Sequence, residues 1–161
     1  MKLLALALPF LLTTTLASAC PLGEKEDVLT IQRVMRNFGR FILAAEMVTL
    51  KANNPNEKVQ DKEFTEAAAK LEVAISCADA VIANPSGRLL PDNALDLEGE
   101  ALADYIDSLV YFMDEFKTSL TEFRDLLTLT ASQKVEERDY SALTAKTEEI
   151  DKLVLRAHKR L

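Results

Sequence analysis

Hydrophobic side chains recur every three or four positions along most of the chain, which is the spacing of amphipathic α-helices. The first segment with this spacing runs from Asp27 to about Ala52, and the second runs from about Glu57 to Ala83. Each ends before a polar, Pro-containing stretch that stops a helix, at 53–56 and 84–87. The apolar positions are Val28, Ile31, Met35, Phe38, Ile42 and Ala45 in the first segment, and Phe64, Ala68, Leu71, Ile75, Ala78 and Ile82 in the second. The two segments predict a helical hairpin.

A longer third helix is predicted to begin near Glu100, after a Pro-containing connection over residues 88–99. Its apolar positions alternate steps of four and three, the spacing of a helix that packs at a shallow angle in a bundle. They are Leu102, Ile106, Leu109, Met113, Phe116, Leu120, Phe123 and Leu127. A polar linker from about Ala131 to Arg138 precedes a fourth helix, whose apolar positions are Tyr140, Leu143, Ile150, Val154 and Leu161. The pattern predicts an all-α fold, an antiparallel up-down-up-down four-helix bundle.

The first nineteen residues have the pattern of an export signal. Lys2 gives a basic start, residues 3–12 are apolar, and Ala17-Ser18-Ala19 matches a signal-peptidase site. The apolar run is too short for a permanent transmembrane helix across about 30 Å of hydrocarbon. We therefore expect residues 1–19 to be a signal peptide and residues 20–161 to be one bundle domain without a transmembrane span, located in the periplasm.

Cys20 leaves two forms of the exported protein open. A cysteine directly after a signal peptide is also the lipid-anchor position of bacterial lipoproteins, although Leu16 lies one place too early for that pattern. This mismatch favours the form without a lipid. The other cysteine, Cys77, lies in an apolar helical segment. A Cys20–Cys77 disulfide is compatible with an oxidising compartment, but we expect Cys77 to be a small buried hydrophobic residue.

Composition and charge exclude several classes of function. The 19 Lys and Arg residues against 26 Asp and Glu give a net charge of −7, which disfavours nucleic acid and favours a basic protein partner. His158 is the only histidine, so a serine triad or a multi-histidine zinc site cannot form. The chain also lacks the glycine-rich phosphate-binding motifs. We therefore expect a protein that is not an enzyme.

The spacing places Met35 and His158 near one end of the predicted bundle. His158 follows Val154 by four residues on the fourth helix, and Met35 lies early in the first helix. A Met thioether and a His imidazole together fill both axial positions of haem iron in electron-transfer sites. The alternative for Met35 is ordinary core packing, and for His158 a cation at the negative end of a helix dipole.

The order of these parts resembles the cytochrome b562 family of exported haem proteins. The resemblance rests on the signal peptide, on residues 31–38 (IQRVMRNF), on the Pro-containing loop before the third helix, and on the terminal segment 153–161 (LVLRAHKRL). It implies that Met35 and His158 are the metal ligands of one non-covalent haem b. The related cytochromes c-prime attach haem through C-x-x-C-H near the same terminus; in this chain residues 154–158 read VLRAH, with Leu155 and Arg156 at the two x positions and neither cysteine present, so covalent attachment is excluded.

The resemblance also implies the walls of the site and its activity. Ile31, Phe38 and Val154, together with aromatic residues of the third helix, are the expected haem walls, and Gly39 would allow a close approach of the macrocycle. The expected function is outer-sphere electron transfer with an unidentified redox partner. One alternative is a haem-free envelope structural or interaction protein, either without a lipid or lipid-anchored through Cys20. Another is a carboxylate metal site, which lacks the Glu-x-x-His pairs of such bundles.

Overall fold

The computed structural model describes residues 20–21 and 29–161. These residues form four α-helices, and their regular structure is entirely helical: α1 (Ile31–Asn53), α2 (Asp61–Ala83), α3 (Gly99–Ser132) and α4 (Ser141–Arg160). Short 3₁₀ turns lie in the connections, at Gly87–Leu89, Asp92–Ala94 and Val135–Glu137. The prediction of an all-α four-helix bundle is confirmed. The predicted signal peptide, residues 1–19, lies outside the described residues.

Capping moves the starts of two helices relative to the prediction. α1 begins at Ile31 and not at Asp27, because Thr30 is extended and its hydroxyl accepts a hydrogen bond from the Arg33 amide at 3.3 Å. α2 begins at Asp61 and not near Glu57, since the Glu63 carboxylate accepts the backbone N–H of Gln60 at 2.9 Å. Both corrections follow from polar side chains that satisfy the first free amides of a helix.

Ion pairs link neighbouring helices in a regular register. Asp79 and Glu72 of α2 pair with Lys117 and Arg124 of α3 respectively, so residue numbers fall along one helix as they rise along the other. At the other side of the bundle, the Asn53 side chain at the end of α1 donates to the Thr144 hydroxyl at the start of α4, at 3.1 Å. The predicted up-down-up-down order requires pairings of this kind. In the described part of the chain, no helix combines the length and apolar character of a membrane span.

All four helices contribute to one hydrophobic core. The largest fully buried side chains are Val34, Phe38, Phe64, Leu71, Leu109, Met113, Leu120, Phe123, Leu127, Leu143, Ile150 and Leu153. On α1 Val34 is fully buried, whereas its neighbour Met35, predicted to lie on the core face, is only half-buried. Met35 therefore sits at the edge of the core, beside α4.

A disulfide joins Cys20 to Cys77. Our expectation that Cys77 is an unpaired hydrophobic residue is wrong about its pairing, although both cysteines are buried. Periodicity could not reveal this pair, because it places Cys77 on α2 but gives no position for the segment at Cys20. A lipoprotein anchor is attached through the cysteine sulfur, which the disulfide occupies. The described structure is therefore that of a form without a lipid on Cys20.

Candidate functional site

The two predicted ligands lie near the same end of the bundle. Met35 is in the second turn of α1, four residues or about 6 Å from the helix start, since α1 begins at Ile31. His158 is in the last turn of α4, two residues or about 3 Å from its end at Arg160. The later start of α1 therefore brings the two side chains closer to a common level than the predicted start at Asp27 would.

Met35 and His158 line one cavity of about 260 Å³ between α1 and α4, with a contribution from α3. Its lining residues are Met35, Phe38, Gly39, Ile42, Phe116, Val154, Ala157, His158 and Leu161. His158 supplies the only polar side chain among them. Two of the three predicted wall residues, Phe38 and Val154, line the cavity. The third, Ile31, is buried in the core and does not.

His158 is held by its own helix. Its Nδ1 lies 2.8 Å from the carbonyl oxygen of Val154, one turn earlier. A carbonyl oxygen can only accept, so Nδ1 carries the hydrogen, and the lone pair of the neutral imidazole is on Nε2. Histidines that bind metals commonly have the second ring nitrogen fixed in this way, to a carbonyl or a carboxylate. The geometry therefore leaves Nε2 of an exposed imidazole with a free lone pair.

The α1 side of the cavity carries the Met35 thioether, which is a soft ligand, and an open space at Gly39. Met35 is half-buried and packs against the hydrophobic core. Gly39 follows it by one turn, and a Cβ placed on Gly39 would have no atom within 4 Å. The chain therefore leaves room above this glycine, on the same side of α1 as the Met35 thioether.

An aromatic pair closes the inner side of the cavity. The rings of Phe38 and Phe116 meet edge to face with centroids 6.3 Å apart, and both side chains are buried. Phe116 is the aromatic residue that the third helix supplies, which the sequence predicted only as a class. Ile42, Ala157 and Leu161 were not predicted as wall residues. Ile42 could have been found from its spacing, since it lies four residues after Phe38 on the same face.

Two carboxylates lie next to the cavity, at the α1–α4 interface. Burial and the nearby charge of Asp151 on α4 both raise the pKa of Glu46 on α1. Glu46 follows Ile42 by one turn, and Asp151 precedes Val154 by three residues. Like charges here oppose close packing of the two helices, whose mutual contact is also the sparsest among the four helix pairs that pack together. Separation of α1 from α4 would therefore break fewer contacts than separation of the other packed pairs.

The alternative of a carboxylate metal site finds no support in residues 20–21 and 29–161. Within them, no group of three or more His, Cys, Asp or Glu side chains is arranged to hold a metal ion. The adjacent acidic residues at 136–137 and 148–149 are exposed. Glu137 and Glu149 pair with Lys134 and Lys146 respectively.

Comparison of the chain with protein-family models, with curated proteins and with solved structures found no match.

Proposed function

We propose that this chain is an exported electron-transfer protein of the cytochrome b562 type, which binds one haem b non-covalently through Met35 and His158. A single observation carries the proposal: these two residues, remote in sequence, line the same apolar cavity. Met and His are complementary axial donors to haem iron, and no second histidine exists to offer another pairing.

The residues present fit such a group in their chemistry. The hydrogen bond from His158 Nδ1 to Val154 leaves Nε2 as the free donor atom. The walls are apolar, as expected for a pocket that excludes water around a macrocycle. Cavities that hold drug-sized ligands measure about 300–1,000 Å³. The 260 Å³ described here is slightly smaller, so binding requires the α1–α4 gap to widen.

The surrounding charges and contacts support such widening. α1 and α4 are joined weakly, and the Glu46–Asp151 repulsion lies beside the cavity. Gly39 adds no side chain to the space that must open. We expect ligand binding to order this interface and to raise the stability of the folded chain, since a ligand that binds only the native state stabilises it.

The proposed role of the protein residues is to bind and orient the haem and to exclude water from it. When bound, haem supplies an iron that changes by one electron. Met35 and His158 would hold the iron, and with both side chains as ligands no position would remain for oxygen or peroxide. Phe38, Phe116 and Val154 would exclude water from the bound group. The chain therefore supports electron transfer and not turnover of a substrate.

The test is an absorbance titration of the purified protein with hemin. We expect saturation at one haem per chain, with the sharp bands of a low-spin iron after reduction. Met35→Leu and His158→Ala should each lose the low-spin spectrum. Met47→Leu, which changes an exposed methionine on the same helix, and Lys159→Ala, next to the histidine, are the matched controls and should leave it unchanged. A hemin titration that saturates with the same low-spin spectrum in His158→Ala as in the wild type would refute the proposal.

A haem-free interaction protein is the second candidate. It is favoured by one observation, the exposed apolar side chains Leu43, Met47 and Leu50 on α1. The titration separates the two candidates, because a haem-free bundle shows no saturable change in the hemin spectrum. The lipoprotein version of this candidate additionally requires Cys20 outside the disulfide.

A further inference from the structure

The face of α1 that points away from the core carries a regular row of side chains. Arg36, Arg40, Leu43, Met47 and Leu50 follow one another at steps of four and three, and we call this row the outer stripe. The same spacing defines the contact seam of paired helices. Leu43, Met47 and Leu50 are 55%, 57% and 64% exposed. Three adjacent large apolar side chains on one helix face form a patch, which is a feature of interaction surfaces.

The two ends of the outer stripe carry opposite charges. Among the described residues, the groove at the start of α1 is lined by Thr30, Gln32, Arg33, Arg36, Asn37 and Arg40, and none of these side chains is a carboxylate. In the part of the chain that the structure describes, Arg36 and Arg40 form no ion pair with another residue. The cationic end of the stripe is therefore available to an acidic group from outside.

The other end of the stripe is polar and acidic. The steps of four and three continue from Leu50 to Asn54 and Glu57, just beyond the end of α1. Asn54 and Glu57 line the same groove as Met47 and Leu50, and the Asn54 amide donates to the Glu57 carboxylate at 2.9 Å. The acidic group therefore lies beside the apolar part of the stripe, although it follows the helix in sequence.

The stripe is complementary to itself when it is reversed. A second α1 laid antiparallel, with the two-fold axis beside Met47, brings Leu43 of one copy level with Leu50 of the other to within one residue, about 1.5 Å along the helix. It also brings the end of α1 that carries Arg36 and Arg40 to the end of the other copy's α1, where Asn54 and Glu57 follow the helix. A two-fold axis repeats every contact, so one interface contains two Arg36–Glu57 pairs around an apolar centre. This is the pattern of an isologous dimer interface.

We propose that the outer stripe of α1 is the interface of a homodimer in which two copies pack antiparallel through Leu43, Met47 and Leu50. Charge complementarity favours a second copy over an anionic membrane surface. The Glu57 end and the net charge of −7 oppose such a membrane, whereas they match the arginine end of another chain. The inference does not depend on haem binding, because no residue of the outer stripe lines the cavity of Met35 and His158.

Sedimentation equilibrium of the haem-free protein at low and moderate salt tests the apolar centre. We expect a dimer, and we expect Leu43→Glu to weaken the dimer about 100-fold or more, as for a central interface residue. Leu155→Glu is the matched control, since Leu155 is an equally exposed apolar residue on α4. It should leave the dissociation constant within about threefold. Circular dichroism verifies that the variants remain helical.

A charge swap tests the register independently of the apolar residues. Arg36→Glu and Glu57→Arg should each weaken the dimer about tenfold, and the double variant should return to within about threefold of the wild type. A wild-type protein that stays monomeric would overturn the proposal. So would a dimer that Leu43→Glu does not affect, or a charge swap without rescue. A monomer that binds phosphatidylglycerol vesicles, and loses this binding in Leu43→Glu, would assign the stripe to a membrane surface.

Discussion

Glu46 of α1 lies close enough to Asp151 of α4 for the two carboxylates to repel each other, and together with burial this repulsion raises the pKa of Glu46 above its usual value. The pair stands next to the cavity that Met35 and His158 line. The interface that the proposed ligand would open is therefore also one at which two carboxylates repel each other.

Glu46→Gln should stabilise the protein at neutral pH. A carboxyl with a raised pKa in the folded state contributes stability below its unfolded pKa, and this stability is lost as the pH rises through the folded pKa. At pH 7 the variant should therefore have a higher unfolding temperature than the wild type, and a free energy of unfolding higher by up to about 1 kcal/mol. Both differences should shrink towards pH 4. Thermal unfolding followed by circular dichroism measures this. Glu148→Gln, on the exposed side of α4, is the control. A Glu46→Gln variant less stable than the wild type at pH 7 would contradict the account.

Gly39 and Gly87 should respond in opposite ways to alanine. Gly39 is inside α1 with no atom within 4 Å of an added Cβ, so Gly39→Ala should raise the free energy of unfolding by about 0.5–1 kcal/mol. Gly87 has a φ of +56°, so Gly87→Ala should lower it by about 1 kcal/mol. Urea denaturation measures both. Loss of stability in Gly39→Ala would show that this space is not open in the folded chain.

The sequence predicted the bundle because long segments with a period of 3.6 residues have few alternative structures. It placed the start of α1 too early, since apolar spacing extends through Val28, while the Thr30 cap decides where the helix begins. It placed Met35 on the core face because Met35 fits steps of three and four as well as Val34 does. The cavity could not be predicted from the sequence, because residues from α1, α3 and α4 meet there and helical periodicity describes one helix at a time.

The Cys20–Cys77 bond should contribute strongly to stability. It closes a loop over a sequence separation of 57 residues, for which loop entropy gives about 4 kcal/mol. Cys20→Ala and Cys77→Ala should each lose this contribution, and the double variant should lose little more than the larger single loss, because both changes remove the same bond. Denatured, unreduced wild-type protein should contain no thiol that reacts with a thiol reagent. Two reactive thiols per chain would contradict the disulfide.

Arg138 should be essential for the connection between α3 and α4. Its guanidinium donates to the carbonyl oxygen of Gln133 and to the Asp61 carboxylate, and it lies 5.5 Å from the centre of the Phe64 ring. Asp61 also raises the pKa of Arg138. Lysine cannot form this set of directed bonds, so Arg138→Lys should cost about 1–3 kcal/mol. Lys134→Ala, in the exposed part of the same connection, should cost almost nothing. Equal losses in the two variants, measured by urea denaturation, would refute this role.

The most direct measurement for the central claim is a proton NMR spectrum of the reduced protein loaded with one equivalent of haem. A methionine methyl bound to a low-spin ferrous iron lies over the macrocycle, where the ring current shifts its resonance far upfield. We predict one such three-proton resonance, absent in Met35→Leu and in His158→Ala and present in Met47→Leu. A spectrum without this resonance, or one in which it persists in Met35→Leu, would contradict Met35–His158 ligation.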